Sequence, residues 1–124
     1  MKSQRPVNVN PLQYRFPITG ITSILHRISG VVLFLVIPLL LSILGASLAS
    51  QEGFNDIKQC MESPLTKIIM FLIVSGLLYH LVAGVRHLLM DAGIGESKEG
   101  GRRGSFLILG VSIVLSVLAV VWIW

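Results

Sequence analysis

Residues 28–49, 68–85 and 105–124 of this chain contain no Lys, Arg, Asp or Glu. Each run approaches the roughly 20 apolar residues that a helix needs to cross about 30 Å of hydrocarbon. Lipid offers no partner to a backbone N–H or C=O, so a spanning segment must be a helix or a strand of a closed barrel, and these runs are far longer than barrel strands. The chain is predicted to be an all-α integral membrane protein with three transmembrane helices, at about 21–49, 64–92 and 104–124, behind an extended N-terminal arm. The arm is assigned to residues 1–19 and the three-helix anchor to residues 20–124.

Composition removes several other classes. Only 13% of the 124 residues are charged, too few to clothe a water-soluble domain of this size. The net charge of +4 does not suggest nucleic acid, because the basic residues flank the spans instead of forming one water-facing surface. Lys2, Arg5, Arg15 and Arg27 precede the first span, and Arg86, Lys98, Arg102 and Arg103 lie between the second and third, while the first connection holds Lys58 and Lys67 together with the acidic Glu52, Asp56 and Glu62. By the positive-inside rule the N-terminus and the second connection are cytoplasmic, or on the matrix side in an organelle, and the C-terminus is outside. A multi-pass protein of the cell inner membrane, with a periplasmic C-terminus anchored by Trp122 and Trp124, fits this asymmetry. The lone Cys60 excludes an internal disulfide. The ASLAS stretch at 46–50 lies too far from the N-terminus, behind too long an apolar run, to end a cleaved signal.

Along the arm, Pro6, Pro11 and Pro17 argue against a regular helix, and Arg5 and Arg15 suit lipid head groups or a soluble partner. Residues 50–63 read as a short outer loop with turn formers Gly53, Asn55 and Asp56, and residues 94–104 as a flexible, glycine-rich inner loop. Ser105, Ser112, Ser116 and Ala119 form a small-residue stripe suited to close helix packing.

Two polar clusters break the apolar pattern. In the second span His80 lies between Gly76 and Gly84, which at four-residue steps fall nearly in line with it and leave a flat slot around the imidazole. Close helix approach explains such glycines, and so does a planar macrocycle whose iron the imidazole holds. Arg86, His87 and Asp91 follow at the inner interface, where mutual pairing or solvation accounts for them. In the first span, with Ser23 as zero on a helical wheel, His26 falls at about −60°, Gly30 at about −20° and Arg27 at about +40°. One reading is an interfacial cluster in which Arg27 snorkels to phosphates and Ser23 caps the helix. Another is a pocket at the membrane edge for a flat, oxygen-bearing ligand.

Arg5-Pro6, Ser23-x-x-His26-Arg27-x-Ser29-Gly30 and His80-x-x-x-Gly84-x-Arg86-His87-x-x-x-Asp91-x-Gly93 together resemble the cytochrome b membrane-anchor subunit of succinate dehydrogenase, over nearly the whole chain. Ser29 stands where many of that family have threonine, and Pro11 where an aliphatic residue is common. The resemblance implies that His80 is one axial ligand of a b-type haem shared with a second small membrane-anchor subunit, which supplies the other histidine. It implies that His26 and Arg27 lie near the haem propionates, that Arg27 also faces a ubiquinone site, and that Ser23 binds a quinone carbonyl. Electrons would arrive from a flavoprotein subunit through an iron–sulfur subunit on the inner face. The chain itself would have no dicarboxylate-oxidising activity.

Ubiquinone reduction adds two electrons and two protons, so negative charge develops on a ring oxygen. A guanidinium in a low-dielectric site stabilises that charge, the role assigned to Arg27. Ser23 can donate a hydrogen bond to the ring oxygen, and as a proton relay it needs water behind it. Three alternatives stand beside this reading: a fumarate reductase anchor working in reverse, a haem held within the chain by His26 and His87, and a haem-free structural or transport-associated membrane protein.

Overall fold

The structure is a computed structural model that describes Asn10 and residues 12–124. Arg5, Pro6 and Pro11, on which the arm reading partly rests, lie outside the described residues. Residues 12–17 carry a turn and then no regular structure, with Tyr14 and Phe16 packed edge to face at 4.9 Å. Four helices follow: α1 (Ile18–Ala49), α2 (Gln51–Met61), α3 (Pro64–Asp91) and α4 (Lys98–Ile123). Of these, α1, α3 and α4 are long and apolar enough to cross a membrane. At 1.5 Å per residue the 32 residues of α1 extend about 48 Å, so the helix projects beyond the hydrocarbon.

α1 starts directly after Pro17, whose extended backbone forms the N-cap. Ser23 therefore sits inside the helix, and the capping role open to it in the sequence does not occur. Pro38 lies within α1, which continues through it as one helix.

The first connection is not the loop that its turn formers suggest. It folds as α2, whose Ser50 caps the first turn by accepting from the Gly53 N–H at 3.0 Å. Gly53 serves close packing, since a Cβ there would lie 2.7 Å from the Ala46 carbonyl oxygen. Phe54, Ile57 and Met61 share one face of this short helix, with charged residues around the rest, the pattern of a helix lying along a membrane surface.

The second connection is also shorter than expected. α3 ends in a Schellman motif in which Gly93 N–H donates to Met90 O and Ile94 N–H to Leu89 O, with Gly93 in the left-handed region at φ +82°. α4 then begins at Lys98, because Ser97 accepts from the Gly100 N–H at 3.0 Å and Glu99 favours the helix N-terminus. The glycines at 100, 101 and 104 belong to the helix.

α3 and α4 make the most extensive helix pair. Buried positions are mostly small: Thr22, Ala83, Gly101, Gly104, Ser105, Ser112 and Ala119. Small side chains let backbones approach closely, which drives packing where lipid removes the hydrophobic incentive. The predicted α4 stripe therefore faces the bundle at Ser105, Ser112 and Ala119. Large apolar residues such as Phe34, Leu35, Leu72 and Val121 point outward, as a lipid solvent requires.

Candidate functional site

The polar clusters of α1 and α3 meet. His80 on α3 reaches α1, where its Nδ1 lies 3.0 Å from Ser29 Oγ and 3.2 Å from the His26 carbonyl oxygen. Ser29 Oγ itself donates to that carbonyl at 2.8 Å. With its hydroxyl proton committed, Ser29 can only accept from His80, as the carbonyl can only accept. Both contacts assign the proton to Nδ1, and Nε2 keeps its lone pair. A metal-ligating histidine commonly has its other N–H held in this way, which sets the tautomer and ring orientation.

Glycine makes the approach possible. A Cβ on Gly30 would sit 3.1 Å from His80 Cε1, tighter than ordinary contact, so the ring lies against bare backbone. The flat slot on α3 is partly taken: a Cβ on Gly84 would meet His26 Nε2 at 3.3 Å, whereas nothing lies within 4 Å of such an atom on Gly76. The His26 ring thus fills the Gly84 end of the slot, and the Gly76 end is open.

His26 is the middle of three stacked imidazoles. Its ring centroid is 4.1 Å from that of His80, with planes 12° apart, and 4.8 Å from that of His87, with planes 16° apart. His87 is held by a 2.7 Å contact from Nδ1 to the Ala83 carbonyl oxygen. His26 and His87 lie face to face, while two imidazoles ligating one iron address it from opposite sides through nitrogen. This arrangement opposes the pairing of His26 with His87 as axial ligands.

The residues fit a haem by their own chemistry. His80 offers an imidazole nitrogen with a free lone pair, and Gly76, one turn before it, leaves the α3 backbone bare. Nε2 of His26 is buried with no hydrogen-bond partner among the described residues, a costly state that a polar group such as a carboxylate would relieve. Arg27, next in sequence, is exposed and makes no ion pair among the described residues.

Ser23 lines a space of about 170 Å³ with Thr19, Thr22, Arg86, His87 and Ser105, where the start of α1, the end of α3 and the start of α4 meet, and Arg27 does not line it. Thr22 Oγ1 and Ser105 Oγ are buried 3.1 Å apart and fasten α1 to α4. Tyr79 Oη donates to the Thr22 carbonyl at 2.7 Å and fastens α1 to α3. Sequence reasoning assigned no role to Ser29, Tyr79 or Arg86. Ser29 falls outside the Ser23–Arg27 arc, and only its three-residue spacing from His26 hinted that it reaches that carbonyl.

The family described as succinate dehydrogenase/fumarate reductase transmembrane subunit matches residues 1–119. The succinate dehydrogenase cytochrome b556 subunit of Coxiella burnetii is 42% identical over 125 residues, covering 100% of both chains. That of Paracoccus denitrificans is 36% identical, over 97% of this chain and 92% of the relative. The succinate dehydrogenase cytochrome b560 subunit of Reclinomonas americana is 33% identical, over 99% of this chain and 88% of the relative.

Proposed function

This chain belongs to the succinate dehydrogenase/fumarate reductase transmembrane-subunit family, and from that premise we propose that it supplies one axial ligand of a b-type haem and part of a ubiquinone-reducing site. As a multi-pass cytochrome b membrane anchor it is part of an oxidoreductase complex and associates with flavoprotein and iron–sulfur subunits. The observation that carries the haem assignment is the state of His80: Nδ1 held by the His26 carbonyl and Ser29, Nε2 left with its lone pair inside a membrane-spanning helix. An intramembrane ionisable residue with a fixed tautomer marks a functional group.

In this reading His80 Nε2 would hold the iron, with a histidine of a second small anchor subunit as the other ligand. When bound, the haem would supply a one-electron redox centre. His26 and Arg27 would lie near the propionates, with Arg27 offering its charge. Ser23 donates a hydrogen bond to a quinone oxygen, and Arg27, one helical turn further along α1 and outside the cavity behind Ser23, stabilises negative charge on the quinone as the ring is reduced. The cavity behind Ser23, lined by hydroxyls and His87, provides the room for water that a serine relay requires. The N-terminus and the α3–α4 connection face the cytoplasm, where the soluble subunits dock, and the C-terminus faces the periplasm. Succinate-to-quinone transfer is the favoured direction because the relatives described above carry the succinate dehydrogenase name.

Replacing His80 with Ala in the assembled complex tests the proposal. The reduced-minus-oxidised haem band is expected to be lost or strongly altered, and an unchanged band removes His80 from the ligand role.

A further inference from the structure

Arg86 does more than neutralise an interface. It is half-buried in the last turns of α3, one residue before His87. Its Nη2 donates to Gly95 O at 3.1 Å and to Gly100 O at 3.0 Å. The first of these acceptors lies in the α3–α4 connection, at a glycine with φ +72°, and the second in the opening turn of α4. The Nε–Nη2 edge of the guanidinium lies against the backbone of α4 at Gly104, where any Cβ would overlap it. The one ion pair among the described residues joins Arg103 to Glu99. Arg86 is thus held by two carbonyls that share one nitrogen, Nη2, and by the bare backbone at Gly104.

The same guanidinium walls the cavity that contains Ser23. Across that cavity α4 is fastened to α1 by Thr22 and Ser105, while Arg86 joins α3 to the opening turns of α4 at the same depth. We propose that Arg86 is a positioning residue of the quinone site, clasping residues 95–104 against α3 so that the cavity behind Ser23 keeps the shape from which Ser23 addresses its ligand. The proposal rests on the assignment of Ser23 as a quinone contact.

A double-mutant cycle in the assembled complex tests it, with Arg86→Gln, Gly104→Ala and their combination, and with Ser23→Ala as reference. The readout is the KM for a short-chain ubiquinone analogue, which is independent of how much complex assembles. Arg86→Gln and Gly104→Ala are each expected to raise KM by roughly three- to tenfold, the scale of coupling between touching residues. The double variant should be no worse than Arg86→Gln alone, because the added methyl then has no guanidinium to expel. A wild-type KM in both single variants, alongside a raised KM in Ser23→Ala, overturns the clasp while leaving the quinone assignment standing. Losses that multiply in the double variant also overturn the clasp. An unchanged KM in Ser23→Ala overturns the assignment of Ser23 and this proposal with it.

Discussion

Ser29→Ala probes the His80 assignment without touching the ring. The hydroxyl makes two contacts in series, accepting from His80 Nδ1 at 3.0 Å and donating to the His26 carbonyl at 2.8 Å. Alanine deletes both, yet leaves the His26 carbonyl 3.2 Å from Nδ1, so the tautomer survives on one acceptor instead of two. A net hydrogen bond of this kind contributes about 1 kcal/mol, or roughly fivefold in an equilibrium constant. That is below the roughly 10–100-fold cost of removing a sole outer partner from a metal ligand, as the remaining carbonyl requires. Less electron density reaches the imidazole, which disfavours the oxidised iron. If the whole effect falls on that state, the midpoint potential rises by up to about 40 mV for one electron. Redox titration of the haem band in the purified complex measures the shift, and Ser29→Thr, which keeps the hydroxyl, should restore the original value. An unchanged potential in Ser29→Ala, or an equal shift in Ser29→Thr, refutes the reasoning.

Other substitutions test separate parts of the site. His87→Ala should leave the haem band in place, since His87 stacks on His26 and is bonded to the Ala83 carbonyl; disappearance of the band in a fully assembled complex would revive an axial role for His87. Gly30→Ala requires His80 Cε1 to yield by a few tenths of an ångström, whereas Gly30→Val adds branched bulk at an overpacking cost of about 1–3 kcal/mol. Haem content per complex should fall much further for valine than for alanine, and equal content in the two variants contradicts the packing of His80 on Gly30. Arg27→Leu should severely reduce quinone turnover while succinate oxidation by a soluble artificial acceptor continues; parallel loss of both activities indicates failed assembly.

Periodicity and charge were enough to find the bundle but not its connections. The three uncharged runs correspond to α1, α3 and α4 because solvation by lipid acts on whole segments and tolerates almost any apolar order. α2 was hidden by Gly53, Asn55 and Asp56, residues that favour turns in isolation. Ser50 capping and the close approach of Gly53 to Ala46 accommodate them in a helix. Likewise Gly100, Gly101 and Gly104 looked like a flexible loop, although without side chains they are the surface on which α4 meets Arg86 and Thr19.

The residue types and their spacing determined by themselves that the chain crosses the membrane three times and that His26, Arg27 and His80 are its exceptional side chains, because a charged or titratable group in lipid stands out in one dimension. Tertiary structure alone decided which nitrogen of His80 is free, that His26 stacks between two imidazoles, and that Ser23 shares its cavity with Arg86 instead of Arg27. Those facts depend on how α1 and α3 are rotated against each other. That rotation is set by contacts at small residues and by Tyr79, Thr22 and Ser105, partners far apart along the chain, so a helical wheel drawn for one segment cannot contain it.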